Sequence, residues 1–204
     1  MALTCPVELD IAALRREIGA LYTRVATTPD GEFHFHRGPG YAVRMLGYDP
    51  HALAQLPPEV TARFAGVGNP HAIASLPRGA SVVDIGCGAG TDLLLAALQV
   101  GSTGKAIGVD MTQPLRACAA AGAAACGLDH VDIREGDATA LPVEDESADV
   151  VMSNGVLNLV PTKALAIAEI ARVLKPRGRL QIADIVIDQQ LSEAVVRDID
   201  LWTG

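Results

Sequence analysis

A glycine-rich turn and three acids recur along the chain at intervals that suggest one binding site. The turn is DIGCGAG, residues 84–90. Gly86, Gly88 and Gly90 let the backbone bend sharply and approach a ligand closely, with Cys87 inside the turn. A dinucleotide loop of the G-x-G-x-x-G type needs glycine at position 91, and this chain has Thr91. Asp84, just before the turn, would repel a pyrophosphate but suits an ammonium group. Asp110, followed by Met111, comes twenty residues after Gly90 and can accept hydrogen bonds from both hydroxyls of a ribose. Asp137 can accept from an exocyclic adenine amine, and the N–H of Ala138 can donate to a ring nitrogen. Ammonium acceptor, ribose acid and adenine acid, in that order, describe a pocket for S-adenosyl-L-methionine.

A second group of polar residues sits in VVMSNGVLNLVP, residues 150–161. A buried strand would end there, which puts Asn154 opposite the methionine part of such a cofactor and Asn158 in the same loop. Asp184 and Tyr41 complete the residues expected on the acceptor side. No general base stands out. His34 and His36 alternate in FHFHRG and would point the same way from an extended segment. A metal site needs further ligands, so no metal is expected, and a lid contact over the cofactor is the reading for this pair. The four cysteines, Cys5, Cys87, Cys118 and Cys126, include no CxxC pair.

These residues need elements to position them. SVVDIG (81–86), KAIGVD (105–110), VDIREGD (131–137), ADVVMSN (148–154) and GRLQIADIVI (178–187) read as strands. Helices are expected over 91–100, over 112–127 with Thr112 as cap, over 162–175, and over 190–202. The alternation predicts an α/β fold: a Rossmann-like, doubly wound, mainly parallel sheet whose ligand lies beyond the carboxyl ends of the strands. Residues 1–79 lack this rhythm. Val7, Ile11, Leu14, Ile18 and Leu21 share a helical face, and the segment reads as an N-terminal helical cap or lid over a cofactor-binding core at 80–204.

Half of the 204 residues are hydrophobic and the formal net charge is −8. An acidic surface disfavours nucleic acid. The apolar runs are shorter than the ~20 residues of a membrane span, and the first residues do not read as a signal peptide. The expectation is a cytoplasmic protein with a small-molecule partner.

The motifs VVDIGCGAGTD, GVD, GDATALP, ADVVMSN and ARVLKPRGRL resemble those of class I S-adenosylmethionine-dependent methyltransferases. FAGVGNP, GVDMT, SNGVLNLVPTK and LQIADIV resemble the arsenite methyltransferase branch. The resemblance implies methyl transfer from S-adenosylmethionine to a small acceptor. It also implies substrate thiolates where this chain has Val67 and Gly155, and another after a tryptophan like Trp202. Arsenite is therefore not the expected acceptor. The family core carries a further antiparallel strand hairpin after its fifth helix, which is expected to be absent here. Loss of that hairpin would expose a sheet edge open to self-association. The alternative is a non-catalytic cofactor-binding or interaction protein derived from a truncated methyltransferase.

Overall fold

The structure is a computed structural model and describes residues 10–188 and Trp202. Helix α1 (Ile11–Thr27) opens the described chain, capped by Asp10, whose carboxylate accepts from the Ala13 N–H at 2.8 Å. Its buried face is Leu14, Ile18, Val25 and Ala26; of the expected helical positions, Val7 lies outside the described residues. Helices α2 (Gly38–Leu46), α3 (Pro50–Leu53) and α4 (Pro58–Thr61) follow, and a 3-10 turn spans Pro70–Ala72. Each of the three helices carries proline in its first turn, where the missing N–H costs no hydrogen bond.

The core then runs β1 (Ser81–Ile85), α5 (Thr91–Val100), β2 (Lys105–Asp110), α6 (Gln113–Ala125), β3 (Val131–Glu135), β4 (Ala148–Asn154), α7 (Lys163–Val173) and β5 (Leu174–Ala183). The five strands form one parallel sheet in the order β3-β2-β1-β4-β5. The strand order reverses between β1 and β4, and a crevice opens at the carboxyl ends of those two strands. Both faces of the sheet are covered. Val83, Ile85, Ile107 and Val109 pack against Ile170 and Val173 of α7, while Val82, Val150 and Met152 pack with Ala96 and Val100 of α5. This explains why the strands read as continuous apolar runs.

Two expectations are corrected in detail. Strand β5 starts at Leu174, directly from α7, and ends at Ala183. Its register against β4 slips between Ala148 and Val150, which accommodates Pro176, Arg177 (φ +66°) and Gly178 as a bulge. Thr112 is the first residue of the α6 cap but makes no side-chain capping bond; Asp110 instead accepts from the Thr112 N–H at 2.7 Å, an Asx turn that takes over the job. The helix expected over 190–202 falls outside the described residues except for Trp202.

A buried amide helps tie the N-terminal segment to the sheet. Gln181 of β5 donates from Nε2 to the carbonyls of Pro70 (2.8 Å) and Ala74 (3.1 Å). Between β3 and β4 the chain is pinned by α7: Glu169 accepts from the Leu141 N–H at 2.7 Å, and Arg172 bridges Glu169 and Asp145. The Arg172 hydrogen bond holds the Glu169 carboxyl below its usual range. No helix among the described residues is long and apolar enough to cross a membrane.

Candidate functional site

The crevice at the strand ends is a cavity lined by nine of the expected cofactor residues: Asp84, Gly86, Cys87, Gly88, Asp110, Met111, Asp137, Ala138 and Asn154. Gly90 stands behind it as the left-handed cap of α5 (φ +96°). Gly86 has φ +68°, and a Cβ on it would strike the Val156 side chain, so the turn admits only glycine there. The Gly86 and Cys87 N–H groups both donate to the Val109 carbonyl, at 2.7 and 3.1 Å, locking the turn onto the end of β2.

The acids at the ends of β1 and β2 are buried. Asp84 is 2% exposed, and its Oδ2 has no hydrogen-bond partner among the described residues. Burial pushes its carboxyl well above the usual range, and the nearby Asp92 and Asp110 carboxylates add to the shift. A buried carboxylate oxygen without a donor is costly unless a ligand supplies one, and an ammonium group meets that need. Asp110 is 8% exposed and accepts from the N–H groups of Thr112 (2.7 Å) and Gly88 (2.9 Å). Burial raises its carboxyl, and these bonds oppose the shift. Each oxygen takes one of these N–H bonds, and the Thr112 hydroxyl also bonds the carboxylate. Asp137 accepts from the N–H and hydroxyl of Thr139 through Oδ1, at 2.8 and 2.6 Å. Its Oδ2 pairs with Arg15 of α1 at 2.9 Å, a contact the sequence reading did not foresee. Cys87 is buried, and burial pushes its thiol well above the usual range, so it lines the turn as a neutral, packed side chain.

The end of β4 is built differently. Asn154 lines the cavity, yet its amide is committed to the protein. Its Oδ1 accepts from the N–H groups of Val67 (2.8 Å) and Gly68 (3.1 Å). Its Nδ2 lies within bonding distance of the Gly68 carbonyl (2.9 Å), Asp92 Oδ2 (2.9 Å) and the Tyr48 hydroxyl (3.1 Å). A Cβ on Gly66 would collide with this amide. Behind it, Tyr48 donates to Asp92 Oδ1 at 2.6 Å, and His71 Nε2 stands 3.3 Å from the same oxygen. Gln99 closes the network on His71 Nδ1 at 2.9 Å. Burial, then Asp92, raises the Tyr48 phenol far beyond its usual value, so it stays protonated. Asp92, Tyr48, His71 and Gln99 were not singled out from sequence.

Of the acceptor-side candidates, none lines the cavity. Asp184 accepts from the N–H groups of Leu157 (2.9 Å), Asn158 (3.2 Å) and Ile185 (2.7 Å), which braces the loop after β4. With its nitrogen turned inward, Asn158 donates to Asp184 Oδ1 at 2.9 Å and to the Gly155 carbonyl at 3.0 Å. Tyr41 packs beside His36, ring centres 5.3 Å apart, and His34 meets Phe35 edge-on. Among the described residues no cluster of His, Cys, Asp or Glu could hold a metal ion. The cavity wall on this side is Ile18 and Tyr22 of α1 with Gly155, Val156, Leu159, Val160 and Pro161. Burial, then Asp110 and Asp184, pushes the Tyr22 phenol up to about 12.

A glycine turn at β1, acids at the ends of β1, β2 and β3, and an orphaned carboxylate oxygen suit a ligand with an amino acid, a ribose and a base. The family of proteins described as "Methyltransferase domain" matches residues 76–203. The chain belongs to the S-adenosylmethionine-dependent methyltransferase family. An arsenite methyltransferase of Halobacterium salinarum is 41% identical over 159 residues, covering 78% of this chain and 40% of that protein. Another, of Aquipseudomonas alcaligenes, is 38% identical, covering 74% of this chain and 45% of that protein. The crystal structure of an arsenic(III) S-adenosylmethionine methyltransferase from Chlamydomonas reinhardtii is similar with a TM-score of 0.65 and 36% identity, covering 71% of this chain and 51% of that one. The chain thus spans about half or less of these relatives' length. The cofactor of this methyltransferase family is S-adenosyl-L-methionine, and the residues lining the cavity fit it: the Asp84 oxygen lacks the donor that its ammonium would supply.

Proposed function

We propose that this chain transfers the methyl group of S-adenosylmethionine to a small acceptor other than arsenite, with residues 1–79 as the cap over the site. The cofactor, when bound, supplies an activated methyl group on a sulfonium. Asp84 takes the ammonium end, Asp110 the ribose hydroxyls and Asp137 the adenine amine. Asn154 holds the 66–68 segment against the end of β4, and the apolar wall of α1 and residues 155–161 keeps water away. Transfer is then a displacement governed by alignment and desolvation. Tyr48 and His71 stand behind Asn154 and do not line the cavity, so neither is placed to take the acceptor's proton.

One observation carries the choice of acceptor. Val67 and Gly155 face one another: a Cβ built on Gly155 would stand 3.1 Å from Val67 Cγ1. These are the positions where the arsenite branch is expected to carry thiolates, and they form a single spot. Here that spot is hydrocarbon over glycine, which offers no soft ligand to trivalent arsenic. Cys87 lines the cavity from the β1 turn as a buried, neutral thiol, and the other described cysteines lie elsewhere. Cys118 and Cys126 on α6 donate to the carbonyls of Glu59 and Gln55, and burial raises both thiols. The test incubates the protein with S-adenosylmethionine, thiol reductant and either arsenite or a panel of oxygen, nitrogen and carbon acceptors. Mass spectrometry should find S-adenosylhomocysteine and a methylated organic product; robust methylation of arsenite would overturn the assignment.

A further inference from the structure

We propose that Arg63 holds the carboxylate of the cofactor's amino-acid moiety and makes the pocket selective for ligands that carry it. The inference rests on the S-adenosylmethionine reading and adds a residue that neither motif nor resemblance pointed to.

Four carboxylates line the cavity, Asp84, Asp92, Asp110 and Asp137, against two cations, Arg15 and Arg63. A zwitterionic amino acid placed with its ammonium on Asp84 brings its own carboxylate into this acidic surrounding. Without a cation that carboxylate is repelled, and in a half-buried site the repulsion is poorly screened. Arg15 is already paired with Asp137, at the adenine end. Arg63 has no carboxylate within ion-pair distance among the described residues.

The guanidinium of Arg63 is nevertheless held in place. Its Nε donates to the Ala26 carbonyl near the end of α1, and its Nη1 donates to the Glu59 carbonyl, both at 2.7 Å. Among the described residues no acceptor takes the Nη2 protons, which leaves one edge of the fork for a carboxylate. Arg63 also begins the stretch 63–66 that lines the cavity and ends against Asn154. One side chain thereby joins the α1 wall to the methionine end of the pocket. Lysine has a single point of charge and cannot make these two backbone contacts and a third bond in one plane.

Calorimetry on the full chain with three probes tests this. They are S-adenosylhomocysteine, its analogue lacking only the carboxylate, and 5′-methylthioadenosine. The wild type should bind S-adenosylhomocysteine at least about 10-fold more tightly than the decarboxylated analogue, the scale of one charge-assisted hydrogen bond. Arg63→Gln should remove most of that preference, leaving the affinities of the other two within about 2-fold. Arg63→Lys should recover only part of it. Equal losses for all three probes would show that Arg63 merely supports the fold and would overturn the proposal. A wild type that binds both S-adenosylhomocysteine and the analogue equally well overturns it without any variant. A wild type that binds no adenosyl compound overturns the underlying cofactor reading instead.

Discussion

The ends of β1 and β2 and the end of β4 border the same cavity, but they handle polar groups in opposite ways. At β1, Asp84 is buried with one oxygen unpartnered and its carboxyl raised. At β4, every polar atom of the Asn154 amide is within bonding distance of a protein group. The first region leaves bonding capacity unused and bears the energetic cost in the free protein. The second spends its capacity on shaping the wall. Substitutions should therefore separate them: changes at β1 act on binding and can stabilise the free chain, whereas changes at β4 act on stability first.

Asn154→Ala should show the largest effect. It strands the Val67 and Gly68 N–H groups and removes a donor from Asp92, so unfolding stability should fall by about 2–4 kcal/mol in denaturant titrations. A neutral result would mean that the amide is held for the ligand after all, and the contrast between the two regions would disappear.

Asp84→Asn should weaken S-adenosylhomocysteine binding by about 2–3 kcal/mol in calorimetry, the cost of losing a charged partner. The same change should raise the melting temperature of the ligand-free protein. The sign follows from linkage. The folded state of Asp84 keeps its proton to higher pH than the unfolded state, so stability is lost as pH rises from the ordinary carboxylate range toward the raised value. The variant should flatten that slope. Destabilisation of the ligand-free variant would contradict the picture of an acid kept at a cost.

Asp110→Ala should weaken the same ligand by about 1–3 kcal/mol while affecting stability less than Asn154→Ala. Arg15→Ala sharpens the comparison at its weak end. The Arg15 side chain is 48% exposed in its pair with Asp137, so its removal should change stability by less than about 1 kcal/mol. Its effect on ligand affinity should shrink further as salt is added.

The two regions also differ in how far the sequence disclosed them. Strands 105–110 and 148–154 and the helix over 91–100 fall where their apolar runs and glycine boundaries place them. Asp84 and Asp110 were visible because each sits near the end of an apolar run, where an acid has little structural reason to be, and Asp137 because it follows the next strand in the same series. The network behind Asn154 was not visible. Its members lie far apart in the chain, 44 residues between Tyr48 and Asp92 and 62 between Asp92 and Asn154. Asp92 was further disguised, because an acid in the first turn of a helix is what the helix dipole favours. The one available signal was its place at the head of the otherwise apolar stretch DLLLAALQV. Asp184 and Asn158 show the converse: polar residues at a strand end look like ligand contacts, but here they brace a loop. Arg63 carried no motif, and only the balance of charge around the cavity singles it out.

In the proposed function the acids at the ends of β1 and β2 form a site for an adenosyl amino acid. Isothermal titration calorimetry of the protein with S-adenosylhomocysteine, and separately with NAD, tests it most directly. One saturable site for S-adenosylhomocysteine is expected, strongly weakened in Asp84→Asn, with no binding of NAD. Absence of heat with S-adenosylhomocysteine, or equal binding by wild type and Asp84→Asn, would contradict it.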